Sequence, residues 1–172
     1  VTLVDERWVD ESDAASNAAL VKRHLLQNEA SQTYFFSLKN KASGPVDGFM
    51  ECENGLHELM VRLDFAVLGM GNDGHTASWF PDSDALPKCL DEGNSAWCCP
   101  VIDEPTGLPR MTLTWGLLSN CRHLYLHFEG DEKNRVYAKA CEEKERQNIS
   151  AMPIRSVLYQ SQVPLSIYRS EE

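Results

Sequence analysis

The chain has 172 residues, 42% hydrophobic and 24% charged, with a net charge of −10. That size and balance suit one soluble α/β domain with a sizeable core. They exclude a membrane span, since no apolar run is long enough, and they speak against nucleic acid, which needs clustered Lys and Arg to displace counterions. A pocket for a small anion is still compatible, because it needs only two or three cations. The start, "VTLVDERWVD", has no basic region followed by a cleavage site. Six cysteines without a C-x-x-C pair read as reduced, partly buried thiols of a cytoplasmic protein, and zinc spacing is missing.

"VTLVDERWV" reads as a strand followed by a loop. Ser12 and Asp13 supply N-cap chemistry, and Ala14, Ala18, Val21 and Leu25 follow at helical spacing. "TYFFSL" (33–38) is β-prone and "KNKASGPVDG" a polar loop. A helix is expected within 51–63, packing through Leu56, Leu59, Met60 and Leu63. "FAVLGM" has the continuous apolar character of a strand buried on both faces of a parallel sheet. "SDALPKCLDEGNS" reads as a surface connection, and "AWCCPVI" as a strand that Pro100 places at an edge or an end. "RMTLTW" (110–115) is β-prone, "GLLSNC" a short helix or turn, and "HLYLHFEG" (123–130) a strand. Asp131 then caps a helix through about Arg146, followed by a helical turn at "MPIRSVLYQ" and a last strand at "VPLSIY". Alternating strands and helices predict an α/β fold with a mainly parallel, Rossmann-like sheet flanked by helices, as one domain over 1–172. Ligands of such sheets sit beyond the carboxyl ends of strands, where "DERW", "GMGNDGH" and "EGDEK" fall.

The loop in "LDFAVLGMGNDGHTASWFP" (63–81) admits three readings. As a plain turn it uses Asn72, Asp73 and Gly74 for their turn chemistry. As a dinucleotide loop it has G-x-G-x-x-G at Gly69, Gly71 and Gly74, but Pro81 stops the required helix and no acidic strand end follows. As a catalytic loop it uses every part. Glycines let backbone N–H groups turn toward a ligand and steady an oxyanion. His75 takes a proton from water, and Asp73 orients its ring or binds a substrate hydroxyl. Of the other histidines, His24 sits on a helix, His57 reads as a surface residue, and His123 and His127 flank a strand.

"LGMGNDGHTASWFP" closely resembles the signature of the 6-phosphogluconolactonase family, part of the group that includes glucosamine-6-phosphate deaminase and has a ribose-5-phosphate isomerase-like fold. "DERWV…SDAASN", "PRMTLTWGLLSNC", "EGDEKNRVYAKA" and "MPIRSVL" agree in order with further segments of the family, over nearly the whole chain. Asp10 stands where the family usually has proline, and Trp79 where leucine is commoner. Family members begin with a further βα unit bearing a serine- and glycine-rich phosphate loop, so this chain reads as the C-terminal portion of a longer lactonase.

The resemblance implies hydrolysis of 6-phospho-D-glucono-1,5-lactone to 6-phosphogluconate, with no metal or other cofactor and a sugar-phosphate lactone as the partner. His75 is then the general base and Asp73 its companion; Asp5, Glu6, Arg7, Gly71, Gly74, Arg110 and Lys133 are the expected substrate-binding residues. On local sequence alone, Lys133 is equally a solvated lysine beside Asp131 and Glu132, Arg7 a loop-shaping ion-pair partner, and Asp5 and Glu6 its counter-charges. Two alternatives stand beside this one: a deaminase acting on glucosamine 6-phosphate, and a catalytically silent sugar-phosphate-binding fragment. A nucleophilic serine is not expected, since G-x-S-x-G is absent.

Overall fold

The computed structural model describes residues 1–59, 62–102 and 107–170. Among the described residues, six strands form two three-stranded sheets. In the first, β1 (Asp5–Arg7) and β3 (Cys98–Val101) flank β4 (Arg110–Leu113), both antiparallel to it. In the second, β2 (Phe65–Leu68) and β6 (Leu165–Ser170) flank β5 (His123–Glu129), both parallel to it. The α/β class therefore holds, and the parallel pairing belongs to the second sheet. Strand–helix alternation does not reveal that the first sheet is antiparallel. Pro100 lies on edge strand β3, where its missing N–H is harmless.

Helix α1 (Asn17–His24) begins a turn later than Ser12 and Asp13 suggest. Asp13 instead closes a local turn through the Ala15 N–H. The helix is capped by Ser16 and, from a distance, by Glu6. The Glu6 carboxylate accepts from the Asn17 and Ala18 amides, the Arg7 amide and the Ser16 hydroxyl. A carboxylate facing the positive end of a helix is favourable, and here it is 1% exposed with each donor matched.

Helix α2 (Pro45–Leu59) starts inside the stretch read as a polar loop, with proline at the first helical position, where its missing N–H costs nothing. Leu56 packs in the core as expected, whereas Met60 lies outside the described residues. The stretch read as a surface connection contains α3 (Leu86–Leu90), which buries Leu86 and Cys89. Helices α4 (Trp115–Leu118) and α6 (Arg155–Leu158) fall where short helical turns are predicted. Helix α5 (Asp131–Ala140) follows Gly130, whose φ of 91° suits glycine, and it stops before the predicted end near Arg146.

The parallel sheet buries Ala66, Leu68, Leu124, Leu126 and Phe128 on one face. Its other face is open: Phe65 is 61% exposed, Val67 56% and Tyr168 57%. Tyr125 joins Phe65 and Tyr168 there in an aromatic row. Burial of "FAVLGM" on both faces is thus not what this chain has. Every position of that run is apolar, so the sequence carries no alternation to mark the bare side.

All six cysteines are free thiols, and only Cys141 is exposed. Hydrogen bonding to Cys52 and burial push the Cys98 thiol up, and Cys99 and burial do the same to Cys89. Raised values keep these groups as neutral thiols, which are poor nucleophiles. A disulfide reagent should therefore titrate one thiol quickly in the native protein and all six after denaturation. A second fast thiol before unfolding would contradict this packing.

Candidate active site

The loop from Gly69 to Phe80 leaves the carboxyl end of β2 and crosses to the antiparallel sheet. Its shape is fixed by its own hydrogen bonds. The Gly71 amide donates to the His75 carbonyl, the Gly74 amide to the Gly71 carbonyl, and the Thr76 hydroxyl to the Gly69 carbonyl. Further along, the Ser78 amide donates to Thr112 Oγ1 and the Trp79 indole to the Leu113 carbonyl. Ala77 takes a φ of 50°, a left-handed value for a non-glycine residue, in the tight turn closed by the Trp79 amide and the Thr76 carbonyl.

Within this loop His75 Nδ1 lies 2.6 Å from Asp73 Oδ1, which also accepts from the His75 amide at 3.0 Å. A neutral ring that donates from Nδ1 to this carboxylate carries its lone pair on Nε2. Nε2 has no partner among the described residues. Gly71 makes room for this arrangement. A Cβ on Gly71 would stand 2.2 Å from both Nδ1 and Cε1 of His75.

A cavity of about 480 Å³ is lined by Asp5, Arg7, Asn17, Gly69, Met70, Gly71, Asn72, His75, Ala77, Arg110 and Lys133. Seven of the nine residues picked from sequence are placed together by this cavity or the dyad: Asp5, Arg7, Gly71, Asp73, His75, Arg110 and Lys133. Glu6 and Gly74 are not. Glu6 is turned into the cap of α1, and Gly74 lies buried against Met152 with its carbonyl taken by the Ile154 amide. Glu6 and Asp5 do not pair with Arg7 either. Asp5 Oδ2 accepts from Ser78 Oγ at 2.7 Å and from Arg110 Nη1 at 3.4 Å, while Arg7 holds Asn17 Oδ1 and the Ala15 carbonyl.

Lys133 forms no ion pair with Asp131 or Glu132. It reaches the cavity from the first turn of α5. The loop amides of Gly71, Gly74 and His75 are all spent within the loop, so they do not serve an oxyanion as the glycine pattern suggests. Asn72, read from sequence only as a turn residue, lines the cavity and is exposed. Its place in a turn next to the base was the one available signal.

A larger hollow of about 1060 Å³ lies between α1, residues 34–41 and α2. Its charges are mixed, with Lys39 and Lys41 facing Asp10, Glu11, Glu51 and Glu58, and no histidine lines it. Chemistry therefore points to the smaller cavity. No group of three or more His, Cys, Asp or Glu side chains gathers as a metal would require among the described residues.

A family model described as Glucosamine-6-phosphate isomerases/6-phosphogluconolactonase matches residues 1–165. The chain belongs to this family. A 6-phosphogluconolactonase of Mesorhizobium japonicum is 40% identical over 168 residues, 98% of this chain and 68% of that protein. One from Pseudomonas aeruginosa is 38% identical over 170 residues, again 98% and 68%. The crystal structure of a 6-phosphogluconolactonase from Shewanella baltica matches with a TM-score of 0.91 at 42% identity, over 98% of this chain and 70% of that one. A glucosamine-6-phosphate deaminase matches at a TM-score of 0.71 and 14% identity, over 96% and 70%, which is a likeness of fold. The chain thus spans about two thirds of the length of these 6-phosphogluconolactonases.

Proposed function

We propose that this member of the family hydrolyses 6-phospho-D-glucono-1,5-lactone to 6-phosphogluconate, with His75 as general base. One observation carries the proposal. In a chain of net charge −10, three cations, Arg7, Arg110 and Lys133, converge on the cavity that holds a histidine–aspartate pair. A phosphorylated ester supplies the anion for the first group and the carbonyl for the second. The names of the relatives, 6-phosphogluconolactonase, agree with that chemistry.

In the proposed reaction, His75 Nε2 takes a proton from water as the water oxygen bonds to the lactone carbonyl carbon. The tetrahedral intermediate collapses, the bond from that carbon to the ring oxygen breaks, and the imidazolium returns its proton to the departing oxygen. Asp73 keeps Nδ1 protonated and steadies the imidazolium charge. Arg110 and Lys133 draw in the phosphate, Arg110 with a planar fork suited to its oxygens. Arg7 adds charge and holds Asn17 in the wall, and Asp5 meets the sugar hydroxyls while anchoring Arg110. Gly71 gives the ring its space, and Gly74 shapes the loop beneath it. The same reading assigns the reaction to the cytoplasm.

The same proposal has the chain act as the C-terminal portion of a longer lactonase. Two observations support this: the bare aromatic face of a parallel sheet, a kind normally covered on both sides, and family members about half as long again.

The test compares two substrates. With freshly made lactone, acid release should exceed spontaneous hydrolysis, and glucosamine 6-phosphate should release no ammonia. Ammonia without lactone hydrolysis would overturn the reading in favour of deaminase chemistry. Binding of 6-phosphogluconate without turnover would favour the silent sugar-phosphate-binding fragment.

A further inference from the structure

We propose that Phe80 is a positioning residue that fixes the distance between the base and the anion-binding cation, and so sets the preference for a phosphorylated over a plain lactone. This rests on the function proposed above. Phe80 does not line the cavity and is buried, so it acts only through other side chains. Its ring centroid lies 4.6 Å from that of His75, with the planes tilted by 47°. The Arg110 guanidinium carbon lies 5.1 Å from the same centroid. One aromatic ring thus touches both cavity-lining groups.

Phe80 gives each of those groups a contact besides its polar ones. The Nδ1 contact with Asp73 aims the His75 ring. The Phe80 ring adds a packing surface that steadies it there. Arg110 Nη1 lies 3.4 Å from Asp5 Oδ2, and its side chain is nearly wholly buried. An aromatic ring beside a desolvated guanidinium gives it favourable electrostatics and a flat surface.

Phe80 is itself immobilised. Pro81 restricts its backbone to extended conformations. Ser78 and Trp79 are bonded to Thr112 and Leu113, on the strand that begins with Arg110. Phe80 and Arg110 therefore move as one body, and His75 leans on it. A substrate carrying its carbonyl at one end and its phosphate at the other registers any change in that spacing. A plain lactone has no second handle and does not.

The experiment measures kcat/KM for phosphorylated and plain gluconolactone with wild type, Phe80→Leu, Phe80→Met and Phe80→Tyr, with thermal unfolding of each. Heteronuclear NMR of the His75 ring and the Arg110 Nε–H accompanies the kinetics. Loss of the ring should lower the preference for the phosphorylated lactone by about tenfold or more, since small misplacements near reacting atoms are costly. Phe80→Tyr, which keeps the ring, should retain the preference, and both NMR signals should shift in Phe80→Leu and Phe80→Met. Equal losses on the two lactones, or an unmoved His75 or Arg110 signal in a folded ring-less variant, would overturn the proposal. Should Phe80→Leu fail to fold, Phe80→Met decides by the same criteria. Absence of turnover by wild type would sink the lactonase reading instead, and the NMR shifts would still decide whether Phe80 couples the two groups.

Discussion

Replacing His75 with alanine is expected to lower kcat on the phosphorylated lactone by about 10²- to 10⁴-fold, the usual contribution of one positioned base. Binding of 6-phosphogluconate should be nearly unchanged, because Arg110 and Lys133 remain in the cavity wall. That split between turnover and binding separates a base from a residue that shapes the pocket. Asp73→Asn should fall between wild type and His75→Ala. An asparagine amide turned toward Nδ1 donates a hydrogen bond, places the ring proton on Nε2 and removes the lone pair that accepts from water. Steady-state kinetics with calorimetry checks both variants. A His75→Ala protein of wild-type kcat would end the general-base assignment, whatever its affinity.

The two sheets contribute different halves of the chemistry. The antiparallel sheet brings Asp5, Arg7 and Arg110. The parallel sheet brings the His75 loop from the end of β2 and Lys133 from the helix that follows β5. The segment 69–80 joins them, bonded to itself near Gly71 and to β4 through Ser78 and Trp79. That segment ties the base carried by one sheet to the cation carried by the other. This explains why so many of its polar groups are spent on structure and are not presented to a ligand.

Local chemistry was readable along the chain wherever a few adjacent residues decide it. The strand ahead of His75, the histidine–aspartate spacing, the start of β4 at Arg110 and the placing of Lys133 after β5 all follow from short runs. Interactions between distant residues were not readable. The start of α1 is set by Glu6, 11 residues before the Asn17 amide it accepts from, so Ser12 and Asp13 mislead by a turn. The bare side of β2 hides behind an unbroken apolar run. The Gly71 and Gly74 N–H groups look available in sequence and are consumed by carbonyls in the same loop.

Gly71 and Gly74 look alike in sequence, and their alanine variants should fail in different ways. At Gly71 the backbone is not left-handed; what forbids a side chain is the His75 ring, 2.2 Å from the added carbon, with Asp73 Oδ1 at 2.7 Å. The His75 side chain is 31% exposed, so the clash is relieved by pushing the ring outward into solvent. Stability should change by roughly 1 kcal/mol or less, since a stiffer unfolded chain offsets part of the strain. Activity should fall about 10²-fold, because the ring leaves Asp73 and its contact with Phe80 together. At Gly74 the φ of 83° disfavours any side chain, and Met152 atoms stand at 2.9–3.2 Å. Left-handed strain of about 1–2 kcal/mol, with a clash added, should lower the unfolding midpoint of Gly74→Ala. Denaturation curves with kcat for each variant check the contrast. A Gly71→Ala protein with wild-type kcat would mean that the imidazole does not work from the position it occupies beside Asp73.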